Sequence, residues 1–141
     1  TTLFRSSEWR DADTPTLLDE LQIDSPQAVE EVNRCLNSPE IAELFQPDDE
    51  AEVWRERPFE IMIDGEFCSG VFDRVILYEK YAKIIDFKTD RIDKDGLPEA
   101  VKRHKAQLEL YRRALTRLSG LPETAITCLL VFTRPARVMK A

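Results

Sequence analysis

Gly70-Val71-Phe72-Asp73-Arg74-Val75 is followed, thirteen residues after Asp73, by Asp86-Phe87-Lys88-Thr89. Both stretches read as strands, because apolar and β-branched residues dominate them and turn residues bound them. The strand around Asp73 is predicted to run from Glu66 to Tyr78 and to bend near Ser69-Gly70. Val71, Val75 and Leu77 are expected on one face and Phe72, Ile76 and Tyr78 on the other, so the strand should be central and covered on both sides. The strand around Asp86 is expected from Tyr81 to about Thr89. Residues directly opposite on antiparallel strands share a face. A two-residue turn at Glu79-Lys80 would set Asp73 opposite Asp86, and a four-residue turn would set it opposite Lys88. In either register Asp73, Asp86 and Lys88 project to the same side; only an odd slip separates them.

Outward from this pair, Phe59, Ile61 and Ile63 alternate with polar residues up to Asp64-Gly65, a type I′ hairpin signal. The period changes to this strand pattern at Glu52. Upstream of it the chain reads as two or three short helices, starting at Thr14-Pro15-Thr16, Ser25-Pro26 and Ser38-Pro39. Trp9 is the one large anchor before them, and Pro47-Asp48-Asp49-Glu50 closes the helical section as an acidic loop. Downstream, Asp93-Lys94-Asp95-Gly96 is a turn and Pro98 opens a helix. Val101, Leu108, Tyr111, Leu115 and Leu118 recur in it at helical spacing until Gly120. Ala125 to Phe132 reads as a buried fourth strand, and Arg137-Val138-Met139 as a short edge strand. The fold class is therefore α/β, a mixed sheet of about four to five strands flanked by helices with a helical N-terminal section. The 141 residues, 43% hydrophobic, suit one domain: residues 1–50 helical and residues 51–141 the core that carries the site.

No apolar run is long enough to span a bilayer and the first residues lack a secretory pattern, so no membrane partner and a cytoplasmic location are expected. Cys35, Cys68 and Cys128 are odd in number and widely spaced, which fits reduced, mostly buried thiols. The net charge of −7 hides an asymmetry. Residues 1–70 carry 18 Asp and Glu against 5 Lys and Arg, whereas residues 71–141 carry 9 against 15. Such a split hints at an interaction face, although scattered solvated charge is the plainer reading.

Two carboxylates on a mostly buried sheet repel and are costly to ionise, so a positive group belongs between them. Mg²⁺ or Mn²⁺ suits oxygen ligands and would polarise a phosphodiester and acidify an attacking water. The alternative is that Lys88 merely neutralises both aspartates in a salt-bridge cluster.

These residues resemble the PD-(D/E)xK nuclease superfamily, and more closely the RecB-like nuclease domain of bacterial helicase-nuclease subunits. The match runs through Gly70 with Asp73-Arg74, Asp86-Phe87-Lys88-Thr89-Asp90, and Gln107-Leu108-Glu109-Leu110-Tyr111. Glu56-Arg57-Pro58-Phe59 resembles the Glu-x-Pro-Phe entry to the first strand. The resemblance covers about residues 52–118 and implies a restriction-endonuclease-like core. It implies that Asp73, Asp86 and the Phe87 backbone carbonyl ligate the metal and that Lys88 is the catalytic lysine. Gln107, Tyr111, Thr89 and Glu56 would be accessory or DNA-side positions; for Tyr111, core packing is an equal reading. The activity implied is metal-dependent DNA hydrolysis, as exonuclease, beside a helicase segment or subunit in double-strand break repair. On that reading the chain is a piece of a larger helicase-nuclease.

The family supplies a further histidine ligand from a helix upstream of the first strand. Here the sole histidine is His104, near the Gln-Tyr helix. An acid such as Glu20, Glu30 or Glu31 would have to replace the missing one, or a helix would have to precede this chain. Pro47-Asp48 lies in an acidic turn too far upstream to serve. Three scattered cysteines cannot hold the four-cysteine iron-sulfur cluster of a related subgroup. No G-x-x-x-x-G-K-[ST] loop is present, so no ATP site is expected in this chain. Lys102, Arg103, Lys105, Arg112, Arg113 and Arg117 could meet phosphates or could form a solvated helix face. A rival reading keeps the same fold as a noncatalytic module that binds DNA or a partner.

Overall fold

Asp64 and Gly65 form the turn that their sequence predicts. In the computed structural model, which describes residues 26–46, 48–89 and 92–141, their φ values are 52° and 81°. Positive φ at both central residues is what a type I′ turn requires. The turn joins β1 (Glu52–Ile63) to β2 (Glu66–Leu77), and Glu79-Lys80 leads on to β3 (Ala82–Lys88). At this second turn the Tyr78 N–H donates to the Tyr81 carbonyl at 2.9 Å, and the two rings stack 4.3 Å apart. The register from Leu77↔Ala82 to Arg74↔Ile85 follows. It is the shorter of the two even turns, and it carries Asp73 opposite Asp86.

Asp93 caps a 3₁₀ turn by accepting the Gly96 N–H at 3.0 Å. Beyond it α3 runs from Leu97 to Ser119, after the upstream helices α1 (Pro26–Leu36) and α2 (Pro39–Glu43). Pro98 lies in the first turn of α3, and Gly120 ends the helix at φ 80°, a left-handed cap at which a Cβ is penalised. A helical crossover of this length lets β4 (Ile126–Phe132) lie parallel to β3. β5 (Arg137–Lys140) adds an antiparallel edge, giving a five-stranded sheet in the order β1-β2-β3-β4-β5.

The sheet separates two cores. On one side α3 packs over Phe59, Phe72, Val75, Ile84 and Leu130. On the other, α1 and α2 bring Val32, Ile41 and Phe45 against Ile85, Phe87 and Val131. Pro39 opens α2 as expected, but the Ser38 side chain makes no capping bond; the Ala42 N–H goes to the Ser38 carbonyl at 2.9 Å. The helix start at Thr14, the Ser25 cap and Trp9 lie outside the described residues. Cys35 and Cys128 are buried and Cys68 partly so, all three as free thiols. Among the described residues no helix is long and apolar enough to cross a membrane.

The faces of β2 depart from expectation. Phe72 shares the α3 side with Val75 and Leu77, Ile76 and Tyr78 take the other side, and Val71 is exposed. Alternation breaks just after Phe72 and not at Ser69-Gly70. The cause sits on β1, where Arg55↔Arg74 and Arg57↔Phe72 place Glu56 across from Asp73. Glu56 has φ 46°, a left-handed conformation that interrupts the pleat. Trp54 and Phe59, an odd interval apart, consequently both reach the α3 core. Glu56 is thus a mid-strand residue, four positions beyond the entry to β1. At the far end of α3, Leu118 is exposed and ends the apolar stripe one turn early.

Candidate functional site

Asp73 and Asp86 are buried on the α3 side of the sheet, at 8% and 5% exposure. The β2–β3 ladder stops at Arg74↔Ile85. Past it, Asp73 Oδ2 accepts the Phe87 N–H at 3.0 Å, so a side chain replaces a backbone acceptor at the splay. A strand residue turns its N–H and C=O toward the same neighbour in an antiparallel pair. The Phe87 carbonyl therefore faces Asp73 too, while the Phe87 ring stacks on Phe45 at 5.9 Å on the opposite side of the sheet.

Lys88 Nζ lies 2.7 Å from Asp86 Oδ2. This is a close ion pair. The same ammonium also donates to Gln107 Oε1 at 3.0 Å. Gln107 Nε2 in turn donates to the Tyr111 hydroxyl at 3.3 Å. Two residues four apart on α3 thus act on one lysine. Burial, reinforced by the neighbouring Asp73 carboxyl, pushes the Asp86 carboxyl up to about 6 against the pull of Lys88. Burial and the Asp86 charge also raise the Tyr111 phenol.

Tyr111 belongs to the core and the site at once. Its ring meets Phe59 and Phe72 edge-on, each at 5.5 Å, and its hydroxyl reaches Gln107. Gly70 makes room for this: a Cβ there would stand 2.8 Å from the Phe59 ring and 3.0 Å from that of Tyr111.

Thr89 is exposed and its carbonyl accepts Arg134 Nε at 2.8 Å. Glu56 is exposed beside the pleat break. Sequence reasoning missed Thr133, whose N–H donates to the Lys88 carbonyl at 2.9 Å and whose hydroxyl bonds Glu31. This link ties α1 to the end of β3; a threonine in a loop after a strand gives no sequence signal for it. Of the acids weighed as substitutes for the upstream histidine, Glu20 lies outside the described residues, Glu30 is exposed and Glu31 serves Thr133. Among the described residues no group of three His, Cys, Asp or Glu side chains is placed to hold a metal. The basic residues of α3 are largely engaged. Lys102 pairs with Glu99, Lys105 with Glu109 and Arg113 with Asp64, and Arg112 donates to the Ala141 carbonyl.

The donor set fits a hard divalent ion. Two carboxylates and a backbone carbonyl are all oxygen, and the burial that disfavours the Asp86 anion is what a cation would relieve.

Residues 4–140 match the sequence profile of the PD-(D/E)XK nuclease superfamily. Over 124 residues, 77% of the chain, 34% are identical to an ATP-dependent helicase/nuclease subunit of Streptococcus pyogenes serotype M12 (strain MGAS2096), covering 10% of that protein. The protein of the same name from Limosilactobacillus fermentum is 31% identical over 106 residues, 62% of the chain and 8% of its own length. The chain spans about a tenth of the length of these curated relatives.

Proposed function

The chain belongs to the PD-(D/E)XK nuclease superfamily, and from that membership we propose that it is a divalent-metal-dependent DNA nuclease domain, with residues 51–141 as its catalytic core. The observation that carries the proposal is the buried Asp73–Asp86 pair with the Lys88 ammonium 2.7 Å from Asp86. Asp73, Asp86 and the Phe87 carbonyl would hold Mg²⁺ or Mn²⁺. Bound there, the ion supplies positive charge beside the scissile phosphate and lowers the pKa of water. Lys88, paired with Asp86, presents its ammonium to the phosphate or the attacking water. Gln107 holds Lys88 to that position through Oε1, and Tyr111 holds Gln107. Thr89 and Glu56 flank the site on the substrate side.

The relatives' names, helicase/nuclease subunits, support a nucleic acid as substrate, which we take to be DNA, and as partner a helicase segment or a helicase subunit. Exonuclease action, a role in break repair and a cytoplasmic location complete the reading. The test is incubation of the protein with end-labelled linear duplex and with closed circular DNA, with Mg²⁺ and with EDTA. Metal-dependent loss of the linear form alone supports an exonuclease, and cleavage of the circle supports an endonuclease. Survival of both substrates favours the second reading, a noncatalytic module of the same fold. The lack of a third ligand side chain among the described residues speaks for that alternative.

A further inference from the structure

On the sheet face away from Lys88, a cavity of about 160 Å³ opens beneath α2, lined by Glu43, Gln46, Asp48, Arg74, Tyr78 and Lys83 among others. Arg74 is its buried wall. The residue is 2% exposed, and its Nε and Nη1 are buried without a hydrogen-bond partner. The guanidinium lies 4.7 Å from the centre of the Phe45 ring; that contact offsets part of the lost hydration but satisfies no N–H group. Directly across the β1–β2 ladder stands Arg55, a like charge. The acids that line the cavity do not compensate. Asp48 spends Oδ2 on the Tyr78 hydroxyl at 2.7 Å and Oδ1 on the Glu50 N–H at 3.0 Å. Glu43 is exposed, and among the described residues no carboxylate pairs with Arg74. A buried cation without a counter-charge is strongly disfavoured, and Lys83 adds a second cation to the same cavity.

We propose that this cavity is a binding site for one small oxyanion, a phosphate or a carboxylate, held by the Arg74 guanidinium with Lys83 beside it. The space lies below the roughly 300–1,000 Å³ of pockets that enclose drug-sized ligands, so a single anionic group fits and a nucleotide does not. The site is separate from the Asp73–Asp86 pair, because Arg74 points to the α1–α2 side of the sheet, and it stands apart from the nuclease reading.

The test is thermal unfolding in chloride at fixed ionic strength, with inorganic phosphate or acetate titrated into the wild-type protein and into Arg74→Met. A saturable rise in Tm is expected for the wild type and none for Arg74→Met. A response to phosphate alone assigns the site to phosphate groups, and a response to acetate assigns it to carboxylates. The Arg74 Nε–H resonance should move with the same midpoint, and Lys83→Met should weaken the apparent affinity several-fold. An equal rise in Arg74→Met, or no rise in the wild type with either anion, overturns the proposal. If Arg74→Met does not fold, the wild-type Nε–H titration decides, and a resonance that stays still with both anions overturns it.

Discussion

Asp73 Oδ2 accepts the backbone N–H of Phe87 at 3.0 Å, one residue past the point where the β2–β3 ladder ends. The bond gives Asp73 a structural duty beside the one proposed for it at the metal. Asp73→Ala leaves a buried N–H unsatisfied and should cost about 1–3 kcal/mol of stability. Asp73→Asn keeps an acceptor and should remain close to wild type in denaturant melts while losing metal-dependent activity. Equal stability of Asp73→Ala and wild type would show the bond to be dispensable.

Gly70→Ala should destabilise by about 1–3 kcal/mol, since its Cβ would press on Phe59 and Tyr111 within a packed core. Chemical denaturation measures this, and an unchanged midpoint would mean that the aromatic cluster yields freely. Activity should fall as well, because Tyr111 carries Gln107.

Gln107→Ala frees Lys88 from its 3.0 Å restraint. Loss of a hydrogen bond to a charged group, about 1.5–3 kcal/mol, should appear as a fall of about tenfold or more in kcat with KM little changed. A change confined to KM would assign Gln107 to DNA binding alone.

The Asp86 carboxyl, raised by burial to about 6, makes the metal-free protein pH-sensitive. A carboxyl whose folded pKa exceeds its unfolded value of about 3.9 contributes stability below that value and loses it as pH rises through about 6. In EDTA, Asp86→Asn should therefore gain on the wild type between about pH 4 and pH 7, by at most about 1.4 kcal/mol per pKa unit. Bound metal should return that advantage to the wild type, with affinity rising through the same window. A stability difference that is flat with pH would contradict the raised pKa.

Much of this was legible because strand parity is robust. Either even-length turn brings Asp73, Asp86 and Lys88 to one face, and Tyr78 and Tyr81 select the shorter one. The proline in the first turn of α3, Pro98, and the stop at Gly120 were equally readable from their backbone preferences. The pleat break was not, because nothing in Glu56 announces a left-handed residue in the middle of a strand, and the break moved Phe72 to the unexpected face. Gly70 was visible as part of a motif, but its reason needed the rings of Phe59 and Tyr111 in place. The Thr133–Glu31 link and the unsatisfied Nε and Nη1 of Arg74 depend on contacts between α1, α2 and the sheet, which sequence periodicity does not specify.

The central claim is that Asp73, Asp86 and Lys88 form a metal-dependent hydrolytic site. Release of nucleotides from linear duplex DNA with Mg²⁺ or Mn²⁺, compared among wild type, Asp86→Ala and Lys88→Ala, tests it most directly. The predicted result is activity in the wild type that EDTA abolishes, reduced about 100-fold or more in both variants. Equal activity in all three proteins would contradict the assignment.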